Sequence, residues 1–263
     1  MLQSLLAVLS GGLVGFTLGL IGGGGSIMAT PLLLYVVGLQ PHVAIGTGAL
    51  AVSVNAFANF AGHARAGNVR WRDAAIFAAI GMAGALIGSS FGKSFDGQRL
   101  LFLFALLMVA VGVLMLRRGS AKSSSAPAAL PRNPAGRIAQ VAACALGVGL
   151  LSGFFGIGGG FLIVPGLLFS TGMPMLFAVG SSLLAVGAFG LTTAISYASS
   201  GLIDWVVAAE YVAGGLAGGH LGMQLACHLG ANKAALNRIF AGLVFVVAFY
   251  MLYRNASALG LTG

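Results

Sequence analysis

The sequence predicts an all-α, polytopic membrane protein made of two inverted repeats of about five segments each, with glycine-broken helices near the midplane. Composition is the first reason, because 59% of the 263 residues are hydrophobic and only 6% are charged, against about 25% charged in soluble domains. Residues 1–64 and 138–203 contain no Lys, Arg, Asp or Glu. Both stretches are several times longer than the roughly 20 apolar residues that cross a bilayer.

The first half contains five apolar segments, which are 2–20, 27–39, 42–63, 73–92 and 99–116. The second segment follows a run of glycines and is too short to cross a membrane as a straight helix. Two arrangements therefore fit the start of each half: crossings bent around the glycines, or one full span plus a re-entrant pair. Residues 119–136 are rich in Ser, Pro and basic residues, which predicts a cytoplasmic linker between a first repeat at 1–118 and a second at 137–263.

The second half repeats the first at a fixed offset of 134 residues. Pro31 matches Pro165, and Trp71 matches Trp205. Many glycines recur in the same register, among them Gly15, Gly19, Gly22, Gly24, Gly25, Gly46, Gly81, Gly84 and Gly88 of the first half. A register held without gaps over about 200 residues is not plausible as chance and indicates a duplicated unit.

Positive charge indicates how the halves are oriented. The linker region carries Arg117, Arg118, Lys122, Arg132 and Arg137, and two further loops carry Arg65, Arg70, Arg72, Lys233 and Arg238. The positive-inside rule places these loops in the cytoplasm and the repeat-equivalent loop 199–204 outside. Equivalent loops on opposite sides predict an inverted repeat with both termini in the periplasm. Lys93 and Arg99 would then lie outside, which counts against this topology.

The glycine runs are the principal candidates for a substrate site. Irregular backbone at membrane depth is tolerated where protein buries it or where it lines a cavity, and paired interruptions in two halves point to a transporter's binding site. The helix that follows each run would direct backbone N–H groups and a partial positive charge into the gap, which favours an anion. The residues concerned are Gly22, Gly23, Gly24, Gly25, Ser26, Gly156, Gly158, Gly159 and Gly160.

Further polar residues lie on the third segments and in the fourth segment of the second half. Thr47 with Gly48, and Ser181 with Ser182, offer hydroxyl donors near helix starts. Asn55 and Asn59 share one helix face, so they either line the pathway or form hydrogen bonds between helices. Glu210 and His220 are ionisable groups within an apolar segment and are candidates for proton coupling.

Other functional classes find no support in the sequence. No Ser/His/Asp set, paired acids or HExxH motif is present, and no Walker motif or dinucleotide-binding unit indicates a cofactor. The protein is therefore predicted not to be an enzyme. No metal site is predicted, since hard cations require carboxylates and the chain has only four Asp and Glu. Basic residues confined to loops set topology and do not indicate nucleic-acid binding.

Two duplicated motifs resemble those of a known family. "GLIGGGGSIMATPLLL" and "GFFGIGGGFLIVPGLLF" are each followed by a "GTG" or "GSS" element and by a Gly and Trp spaced four apart. Together they resemble the TauE/SafE-type sulfite exporter family. The resemblance implies export of sulfite, organosulfonates or related sulfur oxyanions across a bacterial inner membrane. Ser26 differs from its repeat partner Gly160, so the halves are not chemically equal.

The sequence thus predicts a multi-pass secondary carrier that works by alternating access on a small sulfur oxyanion. Its expected partners are that anion and the surrounding membrane lipid, without nucleic acid, and the oligomeric state is left open. A passive anion channel is the alternative, since a channel could also be lined by hydrogen-bond donors. A carrier should saturate and show counterflow, whereas a channel should conduct and show neither.

Overall fold

A computed structural model describes residues 2–119, 134–155, 160–229, 242, 245–250 and 252–253. These residues form helices joined by short turns, which confirms the predicted all-α membrane class. The elements are α1 (Leu2–Ile21), a 3₁₀ helix (Gly22–Met28), α2 (Ala29–Tyr35), α3 (Pro41–Arg65), α4 (Trp71–Lys93), α5 (Gly97–Gly119), α6 (Pro134–Phe155), α7 (Gly160–Thr171), α8 (Met175–Ala198) and α9 (Trp205–Leu229).

Length and hydropathy identify the membrane-crossing elements. Within the described ranges, 5 helices are long and apolar enough to cross a membrane by length and composition: Leu2–Ile21, Pro41–Arg65, Trp71–Lys93, Ile138–Phe155 and Met175–Ala198. Three apolar helical stretches are shorter, at Ser26–Tyr35, Arg99–Ala110 and Leu162–Thr171. The short stretches after α1 and α6 follow the two glycine runs, as the sequence predicts.

The first glycine run is more ordered than the sequence suggests. Gly22 has a φ of +68°, a conformation that ends α1 and that glycine adopts without steric cost. The chain then continues as a 3₁₀ helix through Met28 and passes directly into α2. The break in the α-helix is therefore present, but the irregular backbone expected here is a short 3₁₀ helix that connects α1 to α2.

The linker prediction falls largely outside the described residues, since 120–133 are not described. The described chain resumes at Pro134, where α6 begins. Proline is favoured at a helix start, where its missing N–H has no intrahelical acceptor.

Two parallel helix pairs, each joining the two halves, are packed through glycines. In the pair α1–α9, a Cβ on Gly15 would collide with the backbone oxygen of Gly215. In the pair α4–α6, a Cβ on Gly149 would collide with the backbone oxygen of Gly81. These are the same contact under the 134-residue offset, and such close approach requires small residues. Each half is therefore completed by a helix of the other.

The equivalent helices α3 and α8 meet at the centre and run in opposite directions. The Ser53 hydroxyl donates to the Gly187 carbonyl over 2.7 Å, and Ser53 and position 187 are themselves separated by the repeat offset. Towards one end Gly46 lies against Leu202, and towards the other Gly180 lies against Asn68. The two contacts are equivalent under the repeat offset, and they lie at opposite ends of the α3–α8 pair because these helices are antiparallel.

Two ends of the bundle are distinguished by charge. We call the turn 66–70, together with Arg65 and Arg72, the basic end. Lys93 lies at the opposite end, where its Nζ donates to the Ser196 carbonyl at 3.0 Å and to the Ser200 hydroxyl at 3.1 Å. This bond gives Lys93 a local role, because a cation at the C-terminus of α8 stabilises its last carbonyl groups.

Candidate functional site

Gly160, the described residue of the second glycine run, meets the first run in the interior of the protein. Gly160, the first residue of α7, lies against Gly23 and Ser26 of the 3₁₀ helix. The Gly23 N–H donates to the Ser182 hydroxyl at 3.1 Å, and the Ser26 hydroxyl donates to the Gly23 carbonyl at 2.9 Å. Gly22, Gly23, Ser26, Gly160 and Ser182 are all buried. Because α7 begins here, the positive end of its dipole lies at this contact.

Thr47 and Ser181 form a crossed pair of hydrogen bonds between the halves. The Thr47 hydroxyl accepts from the Asp204 N–H at 3.0 Å, just before α9. The Ser181 hydroxyl accepts from the Arg70 N–H at 2.9 Å, just before α4. Both hydroxyl groups therefore fix the start of a helix in the other half. Gly48 packs against Leu33 of α2.

Replacement of Thr47 by valine is expected to lower the free energy of unfolding by about 1 kcal/mol, because the Asp204 N–H would lose its acceptor. Thermal unfolding of the detergent-purified protein measures this effect. Ser199→Ala is the control, since that exposed hydroxyl bonds only within its own helix, to Ser196. Unchanged stability of Thr47→Val would contradict the anchoring role. Sulfite kinetics of the same variant test the predicted role of Thr47 as a substrate donor.

A polar face of α3 is packed against α1 and α9. Asn55 is fully buried beside Gly215, and no described residue bonds either atom of its side-chain amide. The Asn59 amide donates to the Asn55 carbonyl at 2.9 Å. His63 bonds the Gly19 carbonyl of α1 through Nε2 at 3.1 Å. The repeat equivalent of Asn55 is Phe189, whose ring lies over Gly81, so the two halves differ at this position.

A cavity of about 470 Å³ lies between α3 and α9, near the basic end. It is lined by Ala58, Asn59, Gly62, Arg65, Ala66, Leu216, His220 and Met223. His220 also bonds the Gln224 side chain at 3.0 Å. The described lining residues include an amide, a guanidinium and an imidazole but no carboxylate, so the cavity is better suited to an anion than to a hard metal cation.

Comparison with known proteins then identifies the family. The model of the sulfite exporter TauE/SafE family matches residues 7–251. The chain belongs to the TauE/SafE sulfite exporter family. This confirms the resemblance seen in the duplicated motifs, and it identifies the protein as a membrane transporter.

Several curated proteins are similar to this TauE/SafE chain along most of its length. A "Probable membrane transporter protein" of Xylella fastidiosa (strain Temecula1) is 56% identical over 261 residues, which cover 98% of both chains. The "Probable membrane transporter protein YunE" of Bacillus subtilis is 29% identical over 233 residues, covering 81% of this chain and 85% of its own. No solved structure matches the chain.

The structure brings some predicted site residues of this TauE/SafE protein together and separates others. Gly22, Gly23, Ser26, Gly160 and Ser182 form one buried group. Gly24 and Gly25 continue the 3₁₀ helix. Gly156, Gly158 and Gly159 lie outside the described residues.

The two proton-coupling candidates on α9 have different surroundings. His220 lines the cavity, whereas the half-buried Glu210 lies nearer the start of α9 and is not among the described residues that line it. Within the described part of the chain, no three His, Cys, Asp or Glu side chains are grouped so that they could hold a metal ion.

Arg65 is the cavity residue that the sequence reasoning missed. Its charge and its place at the end of an apolar segment indicate only membrane topology. A usable signal was its position on α3, six residues beyond Asn59 and three beyond Gly62, so that all three lie near one face of the helix.

Proposed function

We propose that this protein is a secondary transporter that exports sulfite, an organosulfonate or a related small sulfur oxyanion across the bacterial inner membrane by alternating access. The observation that carries the proposal is the buried contact of Gly160 with Gly23 and Ser26. The Gly23 N–H and the Ser26 and Ser182 hydroxyl groups lie beside this contact, and none of these residues carries a carboxylate. Family membership supports a transporter, and the name of the family supports the substrate class.

We further propose that the two halves form an inverted repeat in the membrane, with the basic end in the cytoplasm and both termini in the periplasm. Three features support this orientation. The equivalent helices α3 and α8 are antiparallel. Arg65, Arg70 and Arg72 lie at one end, as expected for a cytoplasmic face. Trp71 and Trp205, which are 60% and 64% exposed, begin α4 and α9 at opposite ends, as expected for residues at two membrane interfaces.

Cysteine accessibility tests this orientation at a repeat-equivalent pair of exposed positions. We expect Ser200→Cys to react with a membrane-impermeant thiol reagent in intact cells, and Ala66→Cys to react only after permeabilisation. The background carries Cys144→Ala and Cys227→Ser, because these are the two native cysteines. Labelling of both positions from the same side would contradict the inverted arrangement.

The substrate and mechanism are tested by uptake of labelled sulfite into liposomes that contain the purified protein. Trapped sulfite, thiosulfate, sulfoacetate or buffer alone is compared inside the vesicles. Faster uptake caused by one trapped anion is expected for a carrier and identifies its substrate class. Flux that follows only the membrane potential, whatever anion is trapped, would support a passive channel. Uptake no greater than that of empty liposomes for every sulfur anion would contradict the proposed substrate class.

Proton coupling is examined in the same vesicles by imposing a pH gradient without an anion gradient. Acceleration of uptake by the gradient, and its loss in His220→Gln, would support coupling through the His220 imidazole, which lines the cavity. Glu210→Gln is the parallel variant, since Glu210 is the other ionisable candidate on α9. A rate that does not respond to the pH gradient would rule out coupling through either residue.

A further inference from the structure

We propose that the cavity between α3 and α9 is a second anion-binding site, separate from the glycine contact, in which the Arg65 guanidinium binds a small sulfur oxyanion at the basic end before transport. This inference rests on the proposed function, because it assumes that such an anion is the substrate. It adds to that function a site where the anion binds before transport, and it names Arg65 as the residue that determines the affinity of this site.

The first argument is the electrostatic state of Arg65. Arg70 nearby forms an ion pair with Asp73 at 3.3 Å. The exposed side chain of Arg65, in contrast, has no ion pair or hydrogen bond with any residue that the structure describes, and it lines the cavity. A guanidinium presents several N–H donors in a planar fork that matches the oxygens of a sulfite or sulfonate group. An anion in this cavity would therefore supply the counter-charge that the described residues do not.

The second argument is the set of groups around the cation. Asn59, which is only 5% exposed, is a buried polar residue of the cavity lining. The His220 ring, bonded to Gln224, adds a further polar group on the α9 side. A volume of about 470 Å³ is within the usual range for small-ligand pockets, and it leaves room for a hydrated anion or for the organic part of a sulfonate.

The third argument comes from the repeat. Under the 134-residue offset, Gly62 and Ala66 of the cavity correspond to Ser196 and Ser200 at the opposite end. There the Lys93 ammonium donates to the Ser196 carbonyl and the Ser200 hydroxyl. A cation therefore lies beside these equivalent positions at each end. The cation at the opposite end is bonded to protein, while Arg65 has no partner among the described residues, so the anion is expected to load at the basic end.

The cavity is also connected to the glycine segments through α1. Asn59 lies against Gly19, one helical turn before Gly23. His63, one turn further along α3, bonds the carbonyl of the same glycine.

Equilibrium binding of labelled sulfite to the detergent-purified protein tests the proposal. We expect Arg65→Gln to weaken binding about tenfold or more, since a charged hydrogen-bonding partner is lost. Arg65→Lys should be intermediate, because it keeps the charge without the fork. Arg72→Gln is the matched control: it removes the same charge from an exposed site at the same end, outside the described cavity lining. Ala66→Glu, at an exposed lining position, should weaken binding with Arg65 intact.

Uptake into inside-out membrane vesicles, in which the basic end would face the medium, separates this site from the proposed function. The expected result for Arg65→Gln is a raised KM for sulfite with a nearly unchanged maximum rate. If the wild-type protein exchanges sulfite and Arg65→Gln has an unchanged KM and an unchanged binding affinity, the proposed Arg65 site is overturned and the proposed carrier function is not. Equal losses in Arg65→Gln and Arg72→Gln would also overturn it, since general surface charge would explain them. Arg65-dependent binding without any exchange would support the site and count against the carrier.

Discussion

Gly15→Ala is expected to lower the free energy of unfolding by about 3 kcal/mol or more, whereas Gly12→Ala leaves it nearly unchanged. Gly15 is packed directly against the backbone of Gly215, so a methyl group there would collide with a main-chain oxygen that cannot rotate away. The two helices would have to separate along their length. Gly12, on the same helix, has only ordinary contact with the Gly214 carbonyl, at 3.6 Å from an added Cβ.

The repeat supplies an independent copy of this experiment. Gly149→Ala should be as damaging as Gly15→Ala, because its added methyl group would meet the Gly81 carbonyl. Gly147→Ala is the control on the same helix, since nothing lies within 4 Å of an added Cβ there. Thermal unfolding in detergent, followed by size-exclusion chromatography, measures the effect. Equal stability of Gly15→Ala and Gly12→Ala would show that α1 and α9 do not pack as described.

Gly160→Ala is expected to lower the maximum rate of sulfite uptake at least about tenfold, which requires a barrier increase of only about 1.4 kcal/mol. An added Cβ would overlap the Gly23 carbonyl and lie 2.6 Å from the Ser26 hydroxyl. It would push apart the two glycine segments at the point where we propose that the anion crosses. Uptake is therefore reported per folded protein molecule, because the same collision also reduces stability.

Gly153→Ala distinguishes an effect at the site from general destabilisation. Its methyl group would meet the Ala85 carbonyl, which is a similar collision on α6 away from the glycine contact. We expect Gly153→Ala to lose stability and to keep its rate of uptake per folded molecule. A similar loss of rate in both variants would remove the support for a substrate site at Gly160.

Different parts of the molecule were predictable from sequence to different degrees. The offset that pairs Pro31 with Pro165 and Trp71 with Trp205 reports equivalence directly, so the repeated elements could be predicted. The repeat offset does not predict, however, which helices pack against each other in the folded protein. That α1 packs on α9 and not on another helix of its own half depends on backbone contacts such as Gly15 with Gly215, which glycine spacing alone cannot assign.

In the candidate site, too, the sequence predicts which side chains are candidates but not which groups they contact. Ser26 and Gly160 are candidate site residues because each follows a break in an apolar helix, and in the structure they are in contact. The role of the Thr47 hydroxyl was not predictable, since its partner is the N–H of Asp204, 157 residues away. Arg65 was missed because a basic residue at a helix end is explained equally well by topology. Only the cavity beside it indicates a second role.

The exchange of partners between halves has a consequence for biogenesis. When α1 leaves the ribosome, the helix on which its glycine face packs has not been made, because α9 begins only at Trp205. At about 5–20 residues per second, translation leaves that face without its partner for roughly 10 to 40 s. The interval between the synthesis of α4 and that of its partner α6 is shorter, because α6 begins at Pro134. The nascent first half must therefore be held in the membrane by lipid or an insertion factor, and the mature bundle closes only when the second half arrives.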